Sequence, residues 1–314
     1  GGAALLVLVV LGASSLIPPQ IKPPPYGTEL YETESAYNYI QVIRDGSQIQ
    51  LVLNEGQAVH SIYDPTRLAT GGYWDDMLLA PDFRPAAGAE IVPHRILILG
   101  LAGGTIARQY EAAFGGGVHM TGVELDPEIV KVARRYFALQ EPDLRVVVGD
   151  ARYFLATRPA SVKYDAILVD VYQQPYIPFY MTTRQFFQLV REHLAPGGTA
   201  AINVGRTATD YRLVAAIAST MRPDFDSVYL LNPEHYLNTV VYGTTEPTSL
   251  HDVRQNLRLD RGPLLGAVAE DALATGDIRA STYHGRPFTD DWAPVENLID
   301  SIIFSVGTRR EPYG

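Results

Sequence analysis

From Pro93 onward, short apolar runs alternate with segments of helical period, and this alternation limits the possible folds more than any other feature of the chain. The apolar runs are Arg95 to Leu99, Val118 to Glu124, Arg145 to Val148, Ala166 to Asp170 and Thr199 to Val204. Helical stretches begin at Thr105 and Tyr211 and cover Pro127 to Phe137 and Thr183 to Leu194. Strands this apolar are buried on both faces, and intervening helices supply the crossovers of a parallel sheet. The runs around Val228 and Val240 are separated by a loop alone, which predicts an antiparallel pair at one edge.

What precedes this pattern is different. Between Glu34 and Ser61 two alternating runs flank Asp45-Gly46, the signature of a β-hairpin, and "GGYWDDMLLAP" reads as a short helix leading into the main domain. Ala3 to Ile17 is apolar throughout and is followed by a proline-rich stretch to Pro25. The run is somewhat short for a bilayer span of about 20 residues. With no basic n-region before it, it reads as the remnant of a membrane anchor joined to the body by a stiff spacer. A cleaved signal peptide and a buried core helix are the competing readings. The expected organisation is an anchor and linker over 1–25, a small β domain over 26–85 and an α/β domain over 86–249. An extension over 250–314 follows, helical at first and then irregular. The catalytic body is placed on the cytoplasmic side of the membrane.

Composition removes several classes of function. The 314 residues include no cysteine, which excludes disulfides, thiolate catalysis and cysteine metal sites. The seven histidines are scattered, so no metal site is expected. A formal charge of -10 opposes attraction to phosphate backbones, so nucleic acid is not expected as a partner. A homo-oligomer is compatible with the sequence.

In a doubly wound sheet, ligands sit at the carboxyl ends of the strands where strand order reverses. Four loops converge on that edge. Gly100 to Gly104, including Ala102 and Gly103, form a turn of small residues that lets the backbone approach a ligand and offers helix amides beyond it. Glu124 ends the next strand and suits a ribose diol. Gly149-Asp150-Ala151 follows, with a carboxylate for an exocyclic amine such as that of adenine, and Asp170 ends the fourth strand. The glycine turn alone fits dinucleotide sites as well. The whole series describes the sulfonium-nucleoside site of S-adenosylmethionine-dependent enzymes, with NAD binding as the weaker alternative.

On "YETESAYNYIQVI", "LVLNEGQAV", "ILILGLAGGT", "GVELDPEIVKVARRYF", "VVVGDARYFL", "YDAILVDVYQQPYIPFYMTTRQFF", "LAPGGTAAINV" and "FTDDWAPVENL", the chain resembles the spermidine synthase-like (polyamine aminopropyltransferase) proteins, in particular a branch fused to membrane helices. The resemblance implies a small N-terminal β domain before a methyltransferase-like, Rossmann-type sheet of seven mostly parallel strands. It implies Glu124 on the ribose, Asp150 on the adenine and Asp170 as the acceptor-side base, with Gln57 and Tyr73 contributed by the N-terminal region. The cofactor implied is S-adenosylmethionine or its decarboxylated form.

Two positions depart from the family pattern. Gly103 stands where an aspartate pairs with the aminopropyl ammonium, and Gln173 where a second aspartate holds the polyamine. Leaving a desolvated ammonium unpaired costs about 3–5 kcal/mol. A glycine with free amides beside it would instead admit the carboxylate of intact S-adenosylmethionine, so the intact form is expected to bind more tightly. Tyr172, Gln173, Gln174, Tyr176 and Tyr180 line a loop that could enclose an amine or simply pack. The expectation is a transferase that alkylates an amine-bearing small molecule, with Asp170 receiving the proton and methyl transfer ahead of aminopropyl transfer. A non-catalytic nucleoside sensor coupled to a membrane transporter is the alternative from another class.

Overall fold

The computed structural model describes residues 22–308 except 55–57, 89–90, 141, 174, 260 and 275–276. The anchor expected over Ala3 to Ile17, and the candidates Gln57 and Gln174, lie outside the described residues. Among the described residues no helix is long and apolar enough to cross a membrane.

Four strands, β1 (Thr28–Glu34), β2 (Tyr39–Asp45), β3 (Gln48–Leu53) and β4 (Val59–Tyr63), form an antiparallel meander in sequence order. The expected hairpin is its centre, with Asp45 opposite Gln48 and Gly46 taking the left-handed φ of +59° that the tight turn requires. Helix α1 (Tyr73–Leu78) then enters the main body with every residue buried.

The large sheet contains β5 (Arg95–Leu99), β6 (His119–Glu124), β7 (Leu144–Val148), β8 (Tyr164–Val169), β9 (Leu194–Gly205), β10 (Ser227–Leu231), β11 (Asn238–Thr244) and β12 (Arg279–Ala280). Its order is β12-β10-β11-β9-β8-β5-β6-β7, with β5 to β9 mutually parallel and β10 to β12 antiparallel. Eight strands thus stand, among the described residues, where seven are expected; the addition is the two-residue β12, too short to leave a periodic signal. Strand order reverses between β5 and β8, so their carboxyl ends open a crevice.

Alternation along β5 shows why its sequence is apolar without a break. Ile96 and Ile98 enter one core and Leu97 and Leu99 the other, each fully buried and each worth about 1.5–3 kcal/mol. The first core is closed by α1, α2 (Thr105–Phe114), α7 (Leu250–Asn256) and α8 (Pro263–Ala274). The second is closed by α4 (Ala151–Ala156), α5 (Arg184–His193), α6 (Arg212–Met221) and α9 (Val295–Thr308). Helix α3 (Pro127–Tyr136) packs Ile129 and Val132 against Ile40, Val42 and Leu51 of the small sheet. Its N-cap Asp126 also accepts from Asn38 at 3.0 Å, tying the two sheets together.

The chain end expected to be irregular is helical over Val295–Thr308. Val295, Ile299 and Ile302 repeat at helical spacing and are buried on the second core, while Pro294 suits the approach to a first turn.

Candidate active site

The turn after β5 is shaped by its neighbours. Gly100 has φ +88°, and a Cβ there would stand 2.1 Å from the Asp170 carbonyl oxygen, so only glycine lets β5 and β8 end side by side. The Ala102 amide donates to Glu124 Oε2 at 2.9 Å and the Asp126 amide to Oε1 at 3.0 Å. Glu124 is therefore fixed by two backbone donors while burial pushes its acidity down.

Gly103 does not open onto free space. Its amide donates to Ser61 Oγ at 2.8 Å, and a Cβ would meet Ser61 Cβ at 2.7 Å and Phe137 at 3.0 Å. The room expected beside Gly103 is taken up because β4 crosses over the turn, and the Gly103 amide is itself committed to Ser61. Gly104, with φ +86°, lies against Leu139. Of this turn, Gly100 lines a cleft at the carboxyl ends of the strands; Gly103 and Gly104 face packing partners.

That cleft, about 100 Å³, is lined by Gly100, Glu124, Asp150, Ala151, Tyr172 and Gln173, together with Tyr180. Asp150 caps α4, its Oδ1 accepting from the Tyr153 amide at 2.7 Å, while Oδ2 accepts from the Tyr180 hydroxyl at 2.9 Å. Burial and the adjacent carboxylate push the Tyr180 hydroxyl up to about 12. The cleft falls below the roughly 300–1,000 Å³ of ordinary small-molecule sites, and the closed Tyr180–Asp150 contact is one reason. Its acceptors are two carboxylates, Glu124 at the end of β6 and Asp150 just beyond the end of the adjacent β7.

Asp170 stands at the end of β8, its Oδ2 accepting from the Tyr73 hydroxyl at 3.1 Å and its Oδ1 from Asn203 Nδ2 at 2.9 Å. Burial pushes its carboxyl up to about 6, against the pull of both hydrogen bonds, so it can exchange a proton near neutral pH. Tyr73 and Asn203 line a second, larger hollow of about 610 Å³, and Tyr172 lines both cavities. The Tyr172 hydroxyl accepts from the Gly205 amide at 2.6 Å, which holds this shared wall upright.

Tyr176 is drawn elsewhere, its hydroxyl donating to Asp300 of α9 at 2.7 Å. Sequence reasoning did not single out Asn203, Tyr236, Arg206 or His60, all lining the larger hollow. Asn203 was detectable as the one amide in the apolar run "TAAINV". His60 has a buried Nε2 without a partner, and burial lowers its pKa to about 4, so its ring is neutral. Among the described residues no group of three His, Asp or Glu could hold a metal ion.

Residues 96–198 match the family model described as a methyltransferase domain. The chain is 38% identical to a probable polyamine aminopropyl transferase of Bifidobacterium longum, over 96% of this chain and 70% of that protein. It is 36% identical to a polyamine aminopropyltransferase of Vibrio vulnificus over 38% of this chain and 40% of that one. In fold it is similar to a probable spermidine synthase from Corynebacterium glutamicum, with TM-score 0.60, 20% identity, and 82% and 91% of the two chains covered. A spermidine synthase in complex with the transition-state analogue AdoDATO gives TM-score 0.60 and 15% identity over 78% and 85%.

Proposed function

The chain belongs to the polyamine aminopropyltransferase family, and on that premise we propose that it transfers an aminopropyl group from decarboxylated S-adenosylmethionine to an amine. The observation that carries the proposal is the position of Asp170, bonded to Tyr73 and Asn203, which line the larger hollow, and two residues before Tyr172, which lines both cavities. Glu124 would hold the ribose and Asp150 the adenine amine, with Tyr180 giving way. When bound, the sulfonium donor supplies an electrophilic carbon and a neutral thioether leaving group. Asp170 takes the proton that an ammonium must lose before its nitrogen can attack, and a carboxyl near 6 is ionised for that task at neutral pH. Tyr73 and Asn203 hold the carboxylate in place, so alignment and a ready base are what the chain contributes.

The names of the relatives favour aminopropyl transfer over the methyl transfer expected to lead. That expectation rested on the absent aspartates at Gly103 and Gln173 and on room beside Gly103, and Ser61 and Phe137 take up that room. Methyl transfer is kept as a second reading because Gly103 supplies no carboxylate for an aminopropyl ammonium. Incubation with an amine and each cofactor in turn, followed by mass spectrometry of the nucleoside, separates the two. Methylthioadenosine formed only in the presence of the amine is the expected product; S-adenosylhomocysteine in its place would overturn the proposal.

A further inference from the structure

The larger hollow differs in charge from what a linear diamine needs. Among the described residues that line it there is no aspartate or glutamate; Asp170 stands behind Tyr73 and Asn203, bonded to both. The walls are apolar: Val59, Leu213, Leu237, Ile299, Ile302 and Ile303. The charge facing this space is positive. Arg206 lines the hollow with its Nε donating to the Asn238 carbonyl at 3.0 Å and Nη1 to the Thr207 carbonyl at 3.1 Å, and its guanidinium stacks over Tyr211 at 4.9 Å. None of these partners is a carboxylate, and a guanidinium has five N–H groups to satisfy. At the rim, His235 stands 3.7 Å from Glu234, both largely exposed. His60 is neutral.

Asp170 and Arg206 are the two ends of one polar line. Asn203 Nδ2 donates to Asp170, Asn238 Nδ2 donates to Asn203 Oδ1 at 2.8 Å, and the Asn238 carbonyl accepts from Arg206. Asn203 and Arg206 are three residues apart at the end of β9, about 10 Å at a strand's rise per residue. A second ammonium placed toward Arg206 would meet a like charge in an apolar enclosure, which is unfavourable, whereas a carboxylate there gains a planar, bidentate partner.

We propose that the acceptor is a zwitterion, an amine joined through a short apolar chain to a carboxylate, with the amine at Asp170 and the carboxylate at Arg206. The proposal rests on the alkyltransferase reading of this site and narrows its substrate class. Arg206 is then the residue that determines specificity against diamines.

The test is calorimetry on the full chain with δ-aminovalerate, putrescine and pentylamine, repeated on Arg206→Gln and Arg206→Lys. The expected result is δ-aminovalerate bound at least tenfold more tightly than putrescine. Arg206→Gln should remove that advantage and leave pentylamine within about twofold, while Arg206→Lys, which keeps the charge, should retain part of it. Putrescine bound as tightly as δ-aminovalerate, or an Arg206→Gln protein that still prefers the amino acid, would overturn the inference. Because Arg206 also braces two carbonyls, a variant that fails to fold is replaced by the wild-type series, whose order decides alone. Release of methylthioadenosine with each amine keeps the two ideas separate. Turnover that favours putrescine sinks the zwitterion and leaves the transferase standing; tight δ-aminovalerate binding with no nucleoside released from any of the three sinks the transferase, and with it the zwitterion as acceptor, and leaves only the binding preference set by Arg206.

Discussion

The two cavities that meet at Tyr172 are built by opposite means. The nucleoside-side cleft draws its polar groups from strand ends, and each carboxylate there is held by backbone amides: Glu124 by Ala102 and Asp126, Asp150 by Tyr153. The larger hollow is walled by aliphatic side chains from β4, α6, the residue before β11 and α9, and its asparagines are bonded to each other and to Asp170. A cleft fixed by main-chain donors is rigid in chemistry as well as position, because changing one side chain leaves an amide unpaired. A hollow lined by aliphatic groups can be reshaped one residue at a time without such a penalty. On the proposed function, the difference implies that recognition of the donor would be hard to alter and recognition of the acceptor easy.

The largest effect that could break this division is expected at Asp170. Asp170→Asn should lower turnover by about 10²–10⁴-fold, the usual contribution of a general base, while leaving nucleoside affinity by calorimetry unchanged. A matching loss of nucleoside affinity would mean that the two cavities are one site energetically. Next in size is Glu124→Gln. The amide has one oxygen for two backbone donors, so one buried N–H loses its partner, and a charged hydrogen bond to the ribose goes with it. An affinity loss of about 1.5–3 kcal/mol is expected for the nucleoside with the acceptor constants unchanged.

A smaller, directional effect concerns pH. Asp170 acts as the carboxylate, and its carboxyl is pushed up to about 6, so activity should rise through that pH and fall about tenfold per unit below it. The Tyr73 hydroxyl donates to the charged form and holds the carboxyl lower than burial alone would. Tyr73→Phe should therefore move the acid limb of the rate profile to higher pH. A limb that stays put would show that Tyr73 serves only to pack against Trp74, with which it stacks at 4.2 Å.

The same contrast governs what could be read from the sequence. The sheet was legible because β5, β6, β8 and β9, buried on both faces, read as apolar runs too short for helices and separated by segments of helical period. Glu124, Asp150 and Asp170 were legible because each ends its strand or stands just beyond it, so local order along the chain gives order in space. The filled space at Gly103 was not, since Ser61 and Phe137 arrive there from 42 residues before and 34 residues after, through tertiary packing alone. Helix α4 escaped notice because six residues carry less than two turns of periodicity. Arg206 and Asn238 acquire meaning only when β9 and β11 pair, with Gly205 opposite Asn238, a register that no short-range pattern encodes.

The smallest expected effect sharpens the comparison at the one point where the cleft is closed by a side chain. The Tyr180 hydroxyl occupies Asp150 Oδ2, the oxygen not taken by the Tyr153 amide, so on the proposed function nucleoside binding would first break that bond. A net intramolecular hydrogen bond is worth about 0.5–1.5 kcal/mol, and Tyr180→Phe removes it while keeping the ring. Nucleoside affinity should then rise by about two- to tenfold. With the hydroxyl pushed up to about 12, it stays a donor throughout the neutral range, so the gain should be the same at pH 6 and pH 8. A fall in affinity would reverse the reading: Tyr180 would then bond the nucleoside in the complex, and the closed contact would be part of the binding surface and not a competitor for it.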